Sequence, residues 1–154
     1  MLRTLWRRVN ADWRFARERP RTSGDRGEAL AARHLRRCGH RILHRQWQGH
    51  TGEIDIVSEH TQRSGSTVRR CLVITEVKTR TGSDAAIDDA LLAVDARKQR
   101  RIARVAAEWL QTNRYASARL RLGWSVRFDV VAVGLGPDGT VELRHLSDAF
   151  ESPI

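Results

Sequence analysis

The first regular pattern along the chain is a helical stripe of apolar residues over 24–38. It is formed by Ala29, Leu30, Ala32 and Leu35. Residues spaced three and four apart share one face of a helix, so this stripe predicts an amphipathic helix. Gly39 stands where such a helix would end, and Glu28 lies near its beginning.

Three extended segments follow this helix. Residues 41–47 predict a first strand, and the glycine-bounded stretch 49–52 predicts a turn. Residues 53–57 alternate between polar and apolar types, which is the pattern of a second strand. The polar stretch 59–70 is interpreted as a hairpin connection. Residues 71–80, with a strongly apolar beginning, then predict a third strand.

The second half of the chain predicts one long helix and two strands. Asp95 is the expected N-cap of the helix, whose apolar stripe continues to Leu110 and stops at Asn113. Residues 84–93 form either a short helix or an ordered loop before it. Strands are predicted at 126–133 and around 141–143, joined by a turn at 136–139. The order of helix, three strands, helix, strand and strand indicates an α/β fold with a mixed central sheet.

Residues 1–23 differ in composition from the remainder. Seven arginines and two acids occupy residues 1–22, with aromatic residues between them. The segment is interpreted either as an arm that grips nucleic acid, because arginine binds phosphate and aromatic rings stack on bases, or as a loosely docked helix. At 154 residues in total, the chain has room for one domain, which we assign to residues 24–154.

The charge of the chain points to an anionic partner. The formal net charge is +10, from 28 basic and 18 acidic residues, and such an excess attracts polyanions. Nucleic acid is the leading expectation, while a membrane surface or an acidic protein would also fit the charge alone. No apolar run approaches the roughly 18 residues of a spanning helix, and no signal peptide is visible, so we expect a cytoplasmic protein. Monomeric and homodimeric forms are both compatible with the sequence.

A group of ionisable residues stands out on two neighbouring predicted strands. Glu76 and Lys78 are two residues apart and share one face, as do Glu53 and Asp55. We expect the carboxylates of Asp55 and Glu76 to lie close enough to share Mg²⁺ or Mn²⁺, which oxygen ligands suit. An isolated Glu-x-Lys usually belongs to an exposed strand or a structural ion pair. The apolar run at 72–74, the neighbouring Asp55 and the basic chain favour a functional site.

Lysine is rare in this sequence. Of the 28 basic residues only Lys78 and Lys98 are lysine, and all the others are arginine. A lysine ammonium is compact and can change its pKa near a reacting centre, whereas the guanidinium of arginine is a broad fork. The two lysines are therefore interpreted as positions where arginine would not serve, with chance as the alternative for so few residues.

Several motifs together resemble the YraN family of bacterial nuclease-like proteins. They are Gly27-Glu28, Gly52-Glu53-Ile54-Asp55-Ile56-Val57, Glu76-Val77-Lys78-Thr79-Arg80, the segment 95–101, and Arg127-Phe128-Asp129-Val130-Val131. The resemblance covers about residues 24–146. That family is similar to archaeal Holliday junction resolvases, so the resemblance implies a restriction-endonuclease-like core and a PD-(D/E)xK site.

The resemblance also implies roles for individual residues. Asp55 takes the place of the motif's aspartate, Glu76 that of its second acid and Lys78 that of its lysine. Glu28 matches the acid on the first helix, and Ile54 stands where the motif's name places proline. Asp55 and Glu76 would then hold the metal, while Lys78 would orient a water molecule and stabilise developing charge.

Phosphate contacts are expected on the second long helix. Lys98 and Gln99 lie near its beginning, where backbone N–H groups favour phosphate, and Arg97 and Arg101 would follow the backbone of the nucleic acid without reading its sequence. A merely solvated helix face is the alternative for these residues. The sequence thus predicts a Mg²⁺-dependent endonuclease acting on DNA, including branched or damaged DNA. The competing hypothesis is a non-catalytic nucleic-acid-binding protein on a nuclease-derived fold.

Three further interpretations concern residues outside this site. Asp129, placed in an apolar strand, is expected to pair with an arginine rather than to assist the site. Cys38 and Cys71 are interpreted as buried or incidental thiols, since they lack the spacing of a metal site. The six histidines also lack such spacing, so they are interpreted as dispersed surface or turn residues.

Overall fold

The computed structural model describes residues 4–8, 22–82 and 94–151. Within these residues, six strands form one sheet in the order β1-β6-β5-β4-β3-β2, and only its β4–β5 pair is parallel. The elements in chain order are β1 (Thr4–Arg8), α1 (Ser23–Arg37), β2 (Arg41–Gln48), β3 (Glu53–Ser64), β4 (Thr67–Thr81), α2 (Ala96–Thr112), α3 (Arg114–Arg121), β5 (Ser125–Leu135) and β6 (Val141–Phe150). The α/β class and the mixed sheet are confirmed, and the arrangement is consistent with a restriction-endonuclease-like core.

Helix α1 begins and ends with the local chemistry that its sequence provides. The Thr22 hydroxyl accepts a hydrogen bond from the Asp25 amide at 3.1 Å, and the Asp25 carboxylate accepts one from the Thr22 amide at 3.0 Å. This reciprocal arrangement satisfies amides that a helix leaves unpaired at its beginning. After Arg37 the chain reverses through Gly39, whose φ of +87° suits glycine. The predicted boundaries of this helix are confirmed to within a residue or two.

The sheet buries one apolar cluster on each face. On one face α2 packs through Val105, Ala106 and Trp109 against alternate residues of the central strands, among them Leu72 and Ile74. The other face is covered by α1. Its residues Ala31, Ala32 and Leu35 form a second cluster with the strand residues Ile56, Val131, Val133, Leu135 and Leu143. Because side chains alternate along a strand, the even-numbered residues of β4 face α2 and its odd-numbered residues face α1.

The predicted connection at 59–70 is wrong in extent. Strand β3 continues to Ser64 and β4 already begins at Thr67, so that only Gly65 and Ser66 form the turn. Residues 61–70 are exposed, and neither face of this ribbon meets the core. A strand that is wet on both faces has no reason to alternate, and its polar sequence therefore looked like a loop.

A short helix and a longer final strand were not foreseen. Asn113 ends α2 as predicted, but its side chain also accepts a hydrogen bond from the Ala116 amide at 3.1 Å and thereby begins α3. Arg119 holds α3 to the sheet through an ion pair with Glu59, with 3.0 Å between Nε and Oε1. The last strand, predicted only around 141–143, extends to Phe150.

The two outer strands of the sheet differ in regularity. Thr4–Arg8 pairs antiparallel with β6, from Thr4 opposite Leu146 to Arg8 opposite Glu142. These five residues are therefore a strand and not a helix. On the other side, β2 shifts its register between Ile42 and His44, and Gln46 has a φ of +50°. Residues 9–21 and the predicted short helix or loop at 84–93 lie outside the described residues, and the division at residue 23 stays a prediction.

The interpretation of the histidines as surface or turn residues is wrong for three of them. His34, His40 and His145 are buried, with 5 to 7% of their surface exposed. His34 lies on the last turns of α1, His40 follows that helix, and His145 lies on β6. The expected pairing of Asp129 is confirmed, because Arg127 binds it through two hydrogen bonds of 2.8 and 2.7 Å. Cys71 is buried, as expected.

Candidate active site

Asp55 lies where β3 and β4 separate. The register of the two strands runs from Ser64 opposite Thr67 to Ile56 opposite Thr75 and goes no further. Beyond that point the Asp55 carboxylate accepts a hydrogen bond from the Val77 amide, with 2.7 Å between Oδ2 and N. The side chain thus satisfies a backbone N–H group of β4 that no longer pairs with β3. This contact fixes the Asp55 carboxylate next to Glu76.

Glu76 lies between the only two lysines of the sequence. Its Oε1 atom is 2.9 Å from Lys78 Nζ and 2.6 Å from Lys98 Nζ. Glu76 and Lys78 come from one strand at a spacing of two, whereas Lys98 reaches the same carboxylate from the first turn of α2. The scarcity of lysine therefore marked two residues that meet at one atom.

The electrostatics of the site work against the charge of Asp55. Burial, followed by the neighbouring Glu76 carboxylate, raises the pKa of Asp55 to about 7, although the hydrogen bond from Val77 opposes this change. Glu28 and Glu53 act in the same direction as Glu76. Burial and the Lys98 ammonium together lower the pKa of Lys78, against the pull of Glu76. Such opposed shifts in one small region are typical of functional sites.

Glu28 approaches the site from α1, and a glycine makes this possible. A Cβ atom added to Gly27 would lie 1.8 Å from Thr79 Oγ1 on β4, so only glycine allows the helix to come so near to the strand. The neighbouring Glu28 then has a buried oxygen, Oε2, without a hydrogen-bond partner among the described residues. Burial raises the pKa of Glu28, while a hydrogen bond with Gln46 opposes the rise.

Gln46 is a site residue that the sequence did not reveal. In the β2–β3 register Arg45 is opposite Ile56 and Trp47 is opposite Ile54, which places Gln46 beside Asp55. Its φ of +50° is unusual for a residue other than glycine. Gln46 also bonds to Glu28, as the pKa of that carboxyl reflects. A glutamine in a polar strand carries no signal of such a position, because backbone conformation is invisible in residue types.

The four residues expected to contact phosphate all lie on the first turns of α2, but they differ in their surroundings. Lys98 is bound to Glu76, and the Gln99 side chain donates to the carbonyl of Val94 at 3.0 Å. Arg97 and Arg101 are exposed. The expected N-cap is confirmed, since Asp95 Oδ1 accepts from the Lys98 amide at 2.8 Å. The nucleic-acid contacts themselves stay predictions.

The donor atoms of the site suit a hard cation, although they are not gathered into a compact cage. Asp55, Glu76 and Glu28 provide carboxylate oxygens, and one of these, Glu28 Oε2, has no hydrogen-bond partner in the described part of the chain. A compact cage would bring at least three ligand atoms of His, Cys, Asp or Glu within 4.8 Å of one another. In residues 22–82 and 94–151 such a group occurs only at His34, Cys38 and His145. The metal and catalytic roles of the acidic residues therefore stay predictions.

Comparison with known proteins places this chain in a family. Residues 27–133 match the model of the family described as "Uncharacterised protein family UPF0102". The chain belongs to the UPF0102 family. A UPF0102 protein of Frankia alni is 43% identical over 124 residues, which cover 80% of this chain and 90% of that protein. A UPF0102 protein of Pelobacter propionicus is 37% identical over 136 residues, covering 88% and 87% of the two chains.

Membership of UPF0102 confirms the predicted resemblance, because this is the YraN family under another name. The matched segment 27–133 contains Glu28, Asp55, Glu76, Lys78 and Lys98. His145 lies beyond its end. Among the described helices of this UPF0102 protein, none has the length and apolar character needed to cross a membrane.

Proposed function

We propose that this UPF0102 protein is a metal-dependent endonuclease that hydrolyses phosphodiester bonds in DNA, a substrate class that includes branched and damaged DNA. One observation carries the proposal: both lysines of an arginine-rich chain converge on Glu76, beside an Asp55 whose pKa is raised to about 7. Burial beside the Glu76 carboxylate disfavours the charged form of Asp55, and a bound cation would relieve this.

The acidic residues fit Mg²⁺ or Mn²⁺. Asp55 and Glu76 would hold the ion, and the unpartnered Oε2 of Glu28 is available to complete the set directly or through water. When bound, the ion supplies a lowered pKa for a coordinated water and neutralises charge on the phosphodiester. Asp55 must lose its proton to serve as a ligand, which the metal-free site resists below about pH 7.

Lys78 has a different task from the carboxylates. Its side chain is only 15% exposed and its ammonium is held at 2.9 Å from Glu76, so the charge is positioned before substrate arrives. A preorganised positive charge of this kind stabilises negative charge that develops on the phosphate. The exposed guanidinium groups of Arg97 and Arg101 lie on the same helix as Lys98 and would hold the DNA backbone without reading its sequence.

The test is cleavage of a DNA panel by the purified chain. Single-stranded, duplex, flap and junction DNAs are incubated with Mg²⁺, with Mn²⁺ or with a chelator. We expect metal-dependent cleavage that Lys78→Ala reduces about 100- to 1000-fold, with DNA binding nearly unchanged. Lys78→Arg should restore little, because the planar guanidinium is larger than an ammonium. Arg70→Ala removes one exposed charge from the β3–β4 ribbon and serves as the matched control. Cleavage that survives Lys78→Ala within a few-fold would contradict the proposed site.

The second candidate is a DNA-binding protein without catalysis. It is favoured by the double neutralisation of Glu76, whose Oε1 already has two ammonium partners without any metal. In that case Glu76 is a structural anchor between β4 and α2. Binding of the same DNAs without cleavage under either metal would decide for this candidate.

A further inference from the structure

Three side chains with metal-binding atoms meet on the α1 face of the sheet. His34 lies on the last turns of α1, Cys38 follows the helix, and His145 lies on β6. His34 Nε2 is 3.3 Å from His145 Nδ1 and 3.5 Å from Cys38 Sγ, and the three ligand atoms all lie within 4.8 Å of one another. The two histidines are buried, with 7% and 6% of their surface exposed.

The two separations from His34 Nε2 match those between ligands of a tetrahedral ion. Zinc binds nitrogen at about 2.0–2.1 Å and sulfur at about 2.3 Å, so two nitrogens on a tetrahedron are about 3.3 Å apart and a nitrogen and a sulfur about 3.5 Å. A nitrogen–nitrogen separation of 3.3 Å is also longer than the usual range of about 2.7–3.2 Å for a hydrogen bond of N–H. The two separations that involve His34 Nε2 therefore fit a shared tetrahedral ion.

An outer carboxylate orients one of the three residues. Asp129 Oδ2 is 2.9 Å from His145 Nε2, so in the neutral ring this nitrogen carries the proton that the carboxylate accepts, and Nδ1 has the lone pair that a metal would bind. Asp129 is itself fixed by Arg127 and by the amide of Asp148 at 3.0 Å. A histidine held by a carboxylate in this way is the usual arrangement of metal-binding histidines.

We infer that His34, Cys38 and His145 bind a transition-metal ion, Zn²⁺, with Asp129 as the outer carboxylate. A thiolate and two imidazoles select zinc over the hard cations that carboxylates prefer. Three protein ligands leave the fourth position of the tetrahedron to water. The ion ties the end of α1 to β6, on the face opposite Glu76 and Lys78. This inference is independent of the proposed nuclease activity.

The decisive measurement is the zinc content of the full chain. Metal is removed with a chelator, Zn²⁺ is restored, excess ion is removed by gel filtration, and bound metal is counted by mass spectrometry. We expect one zinc for each chain in the wild type and in Asp55→Asn, which alters only the acidic site. Cys38→Ser should weaken binding by more than the roughly 10- to 100-fold that loss of an outer partner costs. Cys71→Ser is the matched control, since that thiol contacts Ser125 at 3.3 Å and should keep the zinc.

A second measurement covers the case in which Cys38→Ser fails to fold. Co²⁺ replaces Zn²⁺ in the wild-type chain, and a thiolate-to-cobalt charge-transfer band is sought in its absorption spectrum. The band should appear in the wild type and in Cys71→Ser. A wild-type chain that retains no zinc and shows no such band would overturn the inference, as would equal zinc retention by a folded Cys38→Ser. In that event the three residues form a hydrogen-bonded cluster without metal.

Discussion

Replacing Asp55 by asparagine should make the metal-free protein more stable at alkaline pH. The amide has nearly the shape of the carboxylate, and its oxygen can still accept from the Val77 amide, which lies 2.7 Å from Oδ2 in the wild type. What disappears is a buried negative charge beside Glu76. Binding and catalytic sites often lower the stability of the fold, and a substitution of this kind removes the destabilisation.

The magnitude follows from the pKa of Asp55, which rises from 3.8 to about 7 on folding. The folded chain binds the proton more tightly than the unfolded chain, so protonation of Asp55 stabilises the fold fully below about pH 3.8, and this stabilisation is lost as the pH rises to about 7. At roughly 1.36 kcal/mol per pKa unit, the loss amounts to about 4 kcal/mol at pH 8 and about 1 kcal/mol at pH 4.5. For a chain of this size, the melting temperature of Asp55→Asn should therefore exceed that of the wild type by on the order of 10 °C at pH 8 and by about 2–4 °C at pH 4.5.

The assay is thermal unfolding of wild type and Asp55→Asn in chelator at both pH values. Glu53→Gln is the control, because Glu53 is exposed and contributes least to the shift at Asp55; its melting temperature should hardly change. In NMR spectra, the backbone amide signal of Val77 reports the titration of Asp55 directly. This signal should shift with a midpoint near pH 7. An asparagine variant that is no more stable than wild type at pH 8, together with a Val77 midpoint near 4, would refute the reasoning.

Two further outcomes are expected. In a denaturant titration, Gly27→Ala should destabilise the fold by about 1–3 kcal/mol, since the new Cβ would lie 1.8 Å from Thr79 Oγ1. The control is Gly24→Ala, whose new Cβ would have its nearest atom at 3.5 Å. This variant should be neutral or stabilising in the same titration. Binding of DNA should weaken steeply with salt and vary little with sequence, because a net charge of +10 acts mainly on phosphates. Tight binding of one short duplex sequence at high salt would contradict this expectation.

The sequence predicted those elements of the fold whose burial follows a simple period. Helices α1 and α2 each bury one stripe, and the strands at 53–57, 71–80 and 126–133 alternate or are apolar because the core covers them. The strands of the β3–β4 ribbon could not be predicted because residues 61–70 face water on both sides. Helix α3 could not be predicted because Ala116 is the only buried residue among 114–121, so the helix has no apolar stripe to recognise.

The acidic site was accessible to sequence reasoning because spacing along one strand is a spatial relation. Glu76 and Lys78 are neighbours by alternation, and the rarity of lysine singled out Lys98. The role of Gln46 depends on a backbone angle, which residue types do not record. The cluster at Cys38 joins His34 to His145 across 111 positions of the chain, and no motif of consecutive spacings spans such a separation.

The pairing of β1 with β6 has a consequence for the behaviour of the chain in concentrated solution. An uncovered strand edge is a template on which another polypeptide can add hydrogen bonds. Thr4–Arg8 occupies that edge of β6, while the opposite edge belongs to β2, whose shifted register and left-handed Gln46 make a poor template. Deleting residues 1–8 would expose β6, and the shortened protein should self-associate into aggregates at concentrations where the full chain remains dispersed.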